Sequence, residues 1–481
     1  MINGTLFKQG KPFVNGEWLI EGRERLKVVS PYSGEVIGEQ VIASKNDVER
    51  ALQSAFDSKK EIKAIPAYKR ANILKKAAEL LHEKRDSFAK LISLELGKPL
   101  KNTLDEVARS VETLQLSGEE AKRLIGESIP GDASERGTNV IAMTFRVPIG
   151  VVAAITPFNS PLNLVCHKVG PAFAAGNTVI LKPAPQSSLI ATALLELLIE
   201  AGFPPSAVNM VLGGVEIGQQ IVKDDRVNVI SFTGGTVASR NICSIAGMKK
   251  VLLELGGNAA TIIHEDADLA RAALMCAKTG YSNSGQSCIS VQRIYVHQNV
   301  VSEFKELLKH EVAKLKVGDP LSLETDVGTL VDEKAASRII NWIDQSVNEG
   351  AELVFGGKQN GANVQPTILY NPSKTSNVVC QEVFGPIVSI LPYEDIYEAI
   401  EEANDSEFGL QAGIFTNQLD LAYKVAHSLE VGGIVINGTS NFRLDHWPYG
   451  GVKNSGIGRE GPRFAIEDMT ETKMIVLQLS E

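Results

Sequence analysis

Three side chains stand where the sequence could most readily support chemistry. Cys288 lies in Asn283-Ser284-Gly285-Gln286-Ser287-Cys288-Ile289-Ser290, a short polar turn with a glycine. A thiolate is a strong nucleophile, and exposure beside hydrogen-bond donors favours it. A lone cysteine equally suits a structural role as a small, packable side chain. Glu254 ends the apolar run Val251-Leu252-Leu253 and is followed by Leu255-Gly256-Gly257-Asn258. Burial raises a carboxyl pKa and makes a general base usable near neutral pH. The other reading is a structural glutamate with a charged partner. Asn159 sits in Thr156-Pro157-Phe158-Asn159-Ser160-Pro161, just after another apolar run. Its amide is placed either to donate to a developing oxyanion or simply to brace a loop.

The remaining cysteines read as structural. Cys166 and Cys276 fall in apolar helical runs, Cys243 in a helical stretch, and Cys380 ahead of Gln381-Glu382. Five scattered cysteines make no disulfide framework, and no C-x-x-C pair exists, so neither a zinc nor a redox motif is expected. No metal site is expected.

For a dinucleotide, the usual G-x-G-x-x-G after a strand is missing. Two segments offer an alternative: Leu181-Lys182-Pro183-Ala184-Pro185 at one strand end and Phe232-Thr233-Gly234-Gly235-Thr236 at another. Ligands of doubly wound sheets bind outside carboxyl strand ends, and glycines before a helix N-terminus suit an anion such as pyrophosphate.

These residues need elements to carry them. Residues 66–128 read as helical, with Ile73, Ala77, Leu80 and Leu81 on one stripe. From about residue 150 short apolar runs alternate with helical patterns: Val151 to Ile155, Asn177 to Leu181, Val211-Leu212 and Val227 to Phe232, with Ser188 to Ala201 amphipathic between them. A second such series starts near Asn258, with Ala260 to Ile263, Arg293 to Val296 and Ile387 to Ile390. This texture predicts an α/β fold of two doubly wound parallel-sheet lobes with a cleft between them. Thr138 to Arg146 and Thr472 to Leu479 are isolated strand patterns, candidates for pairing outside the main sheets or with another subunit.

Composition narrows the class. The chain has 481 residues, enough to bury a large core without staples. It is 44% hydrophobic and 22% charged, which excludes a disordered chain or a fibre. A net charge of −9 with no long basic run disfavours nucleic acid. No signal peptide is visible, and the most apolar stretch, Leu189 to Phe203, is too short to span a bilayer and carries Glu196 and Glu200. A reducing, cytoplasmic setting without membrane contact is the expectation.

Seven segments, taken in order, resemble the aldehyde dehydrogenase superfamily over nearly the whole chain. They are Thr156-Pro157-Phe158-Asn159, Leu181-Lys182-Pro183-Ala184, Phe232-Thr233-Gly234-Gly235, Glu254-Leu255-Gly256-Gly257, Gly285-Gln286-Ser287-Cys288, Glu382-Val383-Phe384-Gly385-Pro386 and Pro448-Tyr449-Gly450-Gly451-Val452-Lys453. The spacing from Glu254 to Cys288, 288 − 254 = 34, also matches.

The resemblance implies that Cys288 attacks an aldehyde and carries a thioester after hydride leaves for NAD or NADP. Asn159 and the Cys288 N–H would hold the oxyanion, and Glu254 would activate the hydrolytic water. Lys182 would hold the adenosine ribose and Gly234 and Gly235 the pyrophosphate. Glu382 would bind the nicotinamide ribose with Phe384 beside it; Phe158, Pro185, Gly214 and Leu255 complete the implied cofactor site. NAD-preferring members often have glutamate at the place of Pro185, so its absence admits NADP, while Gly235 replaces a frequent serine. Members that pass the acyl group to coenzyme A often lack the glutamate, so Glu254 favours hydrolysis. The implied organisation is a cofactor domain (1–130 and 150–256), a catalytic domain (257–454) and an oligomerising flap (131–149 and 462–481), assembled as a homodimer or homotetramer.

The substrate is less determined. Members acting on phosphorylated aldehydes clamp the anion with arginines at the places of Arg109 and Arg443, and often a third where Ser287 stands. Guanidinium suits such anions bidentately; the alternative is two loop-bracing arginines. The expected substrate is a small aldehyde with a hydroxyl or an anionic end, such as lactaldehyde, glyceraldehyde 3-phosphate or sulfolactaldehyde, with succinic semialdehyde as the alternative. A non-catalytic relative of the same fold has no need of Cys288, Glu254 and Asn159 together. A serine hydrolase is disfavoured because Gly280-Tyr281-Ser282-Asn283-Ser284 breaks the G-x-S-x-G pattern at its last position.

Overall fold

A computed structural model describes residues 8–479. Two parallel-centred sheets form its frame. In the first, strands 250–254, 229–233, 151–155, 178–182 and 208–210 lie side by side and parallel, with short antiparallel strands closing both edges. Residues 151–155 and 178–182 are buried throughout, which explains why they read as unbroken apolar runs rather than alternating ones. Strand order reverses between 151–155 and 229–233, and such a switch point opens a crevice at the carboxyl strand ends.

The second sheet orders strands 352–355, 367–370, 387–393, 293–297, 260–263, 411–415 and 433–436, all parallel except the first. A third sheet pairs 140–148 with 470–478 antiparallel over nine residue pairs, and 128–130 adds to its edge. The two isolated strand patterns therefore find each other within one chain.

The N-terminal helical region is corrected in detail. It is three helices, Ala67–Glu83, Arg85–Leu96 and Leu100–Ala121, followed by a strand at 128–130. The second ends at Gly97, whose φ of 69° is a left-handed cap that a residue with Cβ adopts poorly. Pro99 then fixes the start of the third. The strand expected at Val211-Leu212 runs instead over Val208–Met210, ahead of the turn into the next helix. Helix Asn163–Ala175 is buried at every position and fills the space between the first sheet and Leu100–Ala121. Among the described residues no helix is long and apolar enough to cross a membrane.

Candidate active site

Strand register gathers the first group of site residues. Ile155 pairs with Lys182 and with Phe232, and Thr233 pairs with Glu254. The segments after these strands, carrying Asn159, Pro185, Gly234-Gly235 and Leu255, thus leave the sheet at one edge. No sequence periodicity contains that alignment; it comes from the hydrogen-bond ladder.

The loop before Cys288 is tightly wound. Asn283, Ser284 and Gly285 have φ of 50°, 57° and 72°, three left-handed residues in succession. Such strain persists only where surroundings enforce it. Here Asn283 Nδ2 donates to the carbonyls of Gln286 (3.2 Å) and Asn159 (3.1 Å). The buried Gln286 side chain donates to Thr329 O (3.3 Å) and accepts from Val331 N (2.9 Å). The loop delivers Cys288 partly buried, with Sγ 3.1 Å from the Tyr449 hydroxyl. Burial pushes the thiol up to about 12, aided by the Glu382 and Glu254 charges and opposed by the Tyr449 bond. A Cβ on Gly257 would run into the Cys288 carbonyl, so glycine is needed for the turn after Glu254 to pass this close.

Asn159 sits on the facing loop. Its Nδ2 donates to Gln286 O at 3.1 Å through one amide hydrogen, and the residue lines the pocket. Glu254 is buried, and its Oε2 has no hydrogen-bond partner. Burial raises its carboxyl well above the usual range, and repulsion from Glu460 adds to this. A Cβ on Gly450 would stand 2.8 Å from Glu254 Oε1, so this glycine leaves the carboxylate room.

One pocket of about 1060 Å³ is lined by Asn159, Ser287, Cys288 and Tyr449 together with Arg109, Arg443 and Asp445. The two arginines differ. Arg109 grips Asp445 with two parallel bonds, at 3.0 and 2.7 Å. The Arg443 guanidinium carbon lies over the Tyr449 ring, 3.8 Å from its centroid; Nη2 donates to Glu460 Oε2 (3.1 Å) and packs 3.0 Å from His167 Nε2, whose proton goes to Asp445. Neither contact uses Nη1, and Arg443 lines the pocket.

Asp445 is a hub, for it also accepts from Asn163 (3.1 Å) and meets His167 Nε2 at 2.9 Å. Burial works against its ionised form, but His167 and Arg109 together hold its carboxyl well below the usual range. Likewise Glu460 is buried, yet Lys168 and Arg443 hold it down to about 2. Fully desolvated charges persist only when paired in this way.

A second group of residues, outside that pocket's lining, has the chemistry to meet a dinucleotide. Lys182 is buried, and desolvation lowers its ammonium to about 8, so a polar ligand there would relieve a real cost. Helices Val215–Lys223 and Thr236–Ile245 begin at Gly214 and Gly235 without a side-chain hydrogen bond capping either. Their first N–H groups can receive an anion, and a Cβ on Gly235 would meet only open space. Pro185 opens a short 3-10 turn next to Lys182. Glu216 accepts from Gly214 N at 3.2 Å, so one carboxylate stands at this end of the site after all. Glu382 accepts from Gly257 N at 3.1 Å, and burial raises its carboxyl to about 7. Phe384, at φ 48°, and Phe158 meet edge to face at 6.0 Å. Leu255 is buried behind them.

Sequence reasoning missed Tyr449, Asp445, His167, Lys168, Gln286 and Glu460. One signal was available: His167-Lys168 interrupts an otherwise apolar helix with two groups that need partners. The partners themselves are nearly three hundred residues away, beyond any local pattern.

Comparison with known proteins bears on the family and the fold. The family model described as "Aldehyde dehydrogenase family" matches residues 18–475. A 3-sulfolactaldehyde dehydrogenase of Priestia aryabhattai is 47% identical over 100% of both chains. A lactaldehyde dehydrogenase of Methanococcus maripaludis is 42% identical, covering 97% of this chain and 99% of its own. The crystal structure of NADP-dependent glyceraldehyde-3-phosphate dehydrogenase from Bacillus halodurans, complexed with NADP, superposes with a TM-score of 0.96 at 37% identity, covering 98% of this chain and 100% of that one. With a mixed α/β fold of that architecture, and family motifs from end to end, this chain belongs to the aldehyde dehydrogenase family.

Proposed function

We propose that the chain oxidises a short aldehyde bearing a hydroxyl or an anionic end to its carboxylic acid, with NAD or NADP as hydride acceptor. One observation carries the reading: Arg443 lines the same pocket as Cys288 and Asn159. The relatives acting on sulfolactaldehyde and lactaldehyde support this substrate class.

Cys288 Sγ passes its proton to pocket water and adds to the aldehyde carbon as the thiolate. The Asn159 amide and the Cys288 N–H stabilise the resulting alkoxide. When bound at Lys182, Gly214, Gly234-Gly235 and Glu382, NAD or NADP supplies the hydride acceptor, and the cysteine is left holding a thioester. Glu254 takes a proton from water as it attacks the thioester carbonyl, which frees the acid and the thiol. Exposed Ile141, Phe145, Met474, Ile475, Val476 and Leu477 on the third sheet support assembly as a homodimer or homotetramer.

The test is absorbance at 340 nm with neutral and anionic aldehydes of matched length, each with NAD and with NADP. Turnover of lactaldehyde or an anionic aldehyde that disappears in Cys288→Ala is expected. Turnover confined to long or aromatic aldehydes would overturn the substrate class, and turnover surviving in Cys288→Ala would overturn the nucleophile.

A further inference from the structure

Lys98 and Glu106 form a buried ion pair, Nζ to Oε2 at 2.6 Å, that does not itself line the pocket. A buried pair of this kind is seldom retained for stability, because apolar residues of similar volume usually serve as well. Its further bonds show where it acts. Lys98 Nζ donates to the backbone carbonyl of Asn159 at 3.1 Å. Glu106 Oε1 accepts from Leu162 N at 2.9 Å and Asn163 N at 3.3 Å. The pair therefore holds residues 159–163 from both ends. The loop between them carries the Asn159 amide, and Asn163 leads into the helix behind it.

The same carbonyl of Asn159 accepts from Asn283 Nδ2 in the nucleophile loop. Two donors on one carbonyl fix the peptide plane, and with it the direction in which the Asn159 side chain leaves the backbone. Its Nδ2 is then tied to Gln286 O. We propose that Lys98 and Glu106 are positioning residues for the oxyanion-binding amide: they lock the Asn159 loop so that the free amide hydrogen faces the aldehyde oxygen when Cys288 attacks the carbon. This rests on Asn159 being the oxyanion donor, as proposed above. A loop that drifts by about 1 Å at such a donor can cost up to about a hundredfold in rate.

The experiment is a double-mutant cycle on the pre-steady-state burst of NAD(P)H, in the full-length enzyme with saturating aldehyde. Lys98→Met should slow the burst about tenfold, with KM changed less than twofold. In the Asn159→Ala background the same change should slow it less than about twofold, because the group being positioned is already gone. Equal slowing in both backgrounds would overturn the proposal and leave the pair a purely structural element. An Asn159→Ala enzyme with an unaltered burst would instead overturn the oxyanion reading itself, so the two failures are distinct. Where Lys98→Met alone does not fold, Lys98→Met with Glu106→Gln leaves no unpaired charge and keeps an acceptor for Leu162 and Asn163. That pair of changes is read in the same cycle.

Discussion

Arg109 closes on Asp445 through two parallel hydrogen bonds, Nε to Oδ2 at 3.0 Å and Nη2 to Oδ1 at 2.7 Å. The contact joins helix Leu100–Ala121 to the loop that carries Arg443, and it occupies Nε and Nη2 of Arg109. Arg443 lines the same pocket beside Cys288, and neither of its close polar contacts uses Nη1. Arg443→Ala should therefore lower kcat/KM for anionic aldehydes about thirtyfold while changing propanal only a few-fold. Arg109→Leu should lower all substrates alike and reduce Tm, because Asp445 loses a partner while buried. Steady-state kinetics on matched neutral and anionic aldehydes separate the two patterns.

The Cys288 thiol, raised to about 12 by burial, is almost wholly protonated at neutral pH in the free enzyme. Its alkylation by iodoacetamide should accelerate about tenfold per pH unit from pH 6 to 9 without a plateau. Tyr449→Phe removes the hydrogen bond that lowers this pKa, so alkylation of that variant should be several-fold slower at each pH. A plateau below pH 8 would show a thiolate already formed and contradict the expectation.

Glu95 is fully buried and accepts from Leu189 N (2.7 Å) and Ile190 N (3.1 Å), capping the helix after Pro185. Burial raises its carboxyl to about 8, against an ordinary value of 4.5, and the two N–H bonds only partly offset this. A raised folded-state pKa means that its contribution is fully present below pH 4.5 and is lost as pH rises to about 8. Glu95→Gln keeps an acceptor for the cap and has no charge to bury. Melting curves should show the variant's Tm gaining on the wild type by a few degrees between pH 5 and pH 8, with no such gain below pH 4.

Pro185 stands beside the buried Lys182 and carries no charge of its own. Pro185→Glu should weaken NADP more than NAD, shifting the ratio of dissociation constants by about tenfold toward NAD. Glu216→Ala should shift it the other way, since that carboxylate faces the same end of the site from Gly214. Fluorescence titration of the enzyme with each dinucleotide, without aldehyde, measures both.

Much of the frame was readable before any coordinates. Val151 to Ile155 and Asn177 to Leu181 announce two-faced burial by composition alone, and both are central strands. The helical stripe at Ile73 to Leu81 is a helix. The breaks at Lys84 and Gly97 escaped notice because a short gap between helices leaves the 3.6-residue period nearly in phase.

The sequence by itself determined which side chains are chemically capable, and the order of motifs that marks the family, because those are properties of residue type and spacing. It also determined that 151–155 and 178–182 are central strands, since burial on both faces demands continuous apolar residues. Tertiary structure decided everything that depends on partners distant in the chain. Which carboxylate each arginine meets, Asp445 for Arg109 and Glu460 for Arg443, is decided by folding. The pKa of Cys288 and Glu254 likewise belongs to their burial, not to their type, and burial is a property of the packed chain.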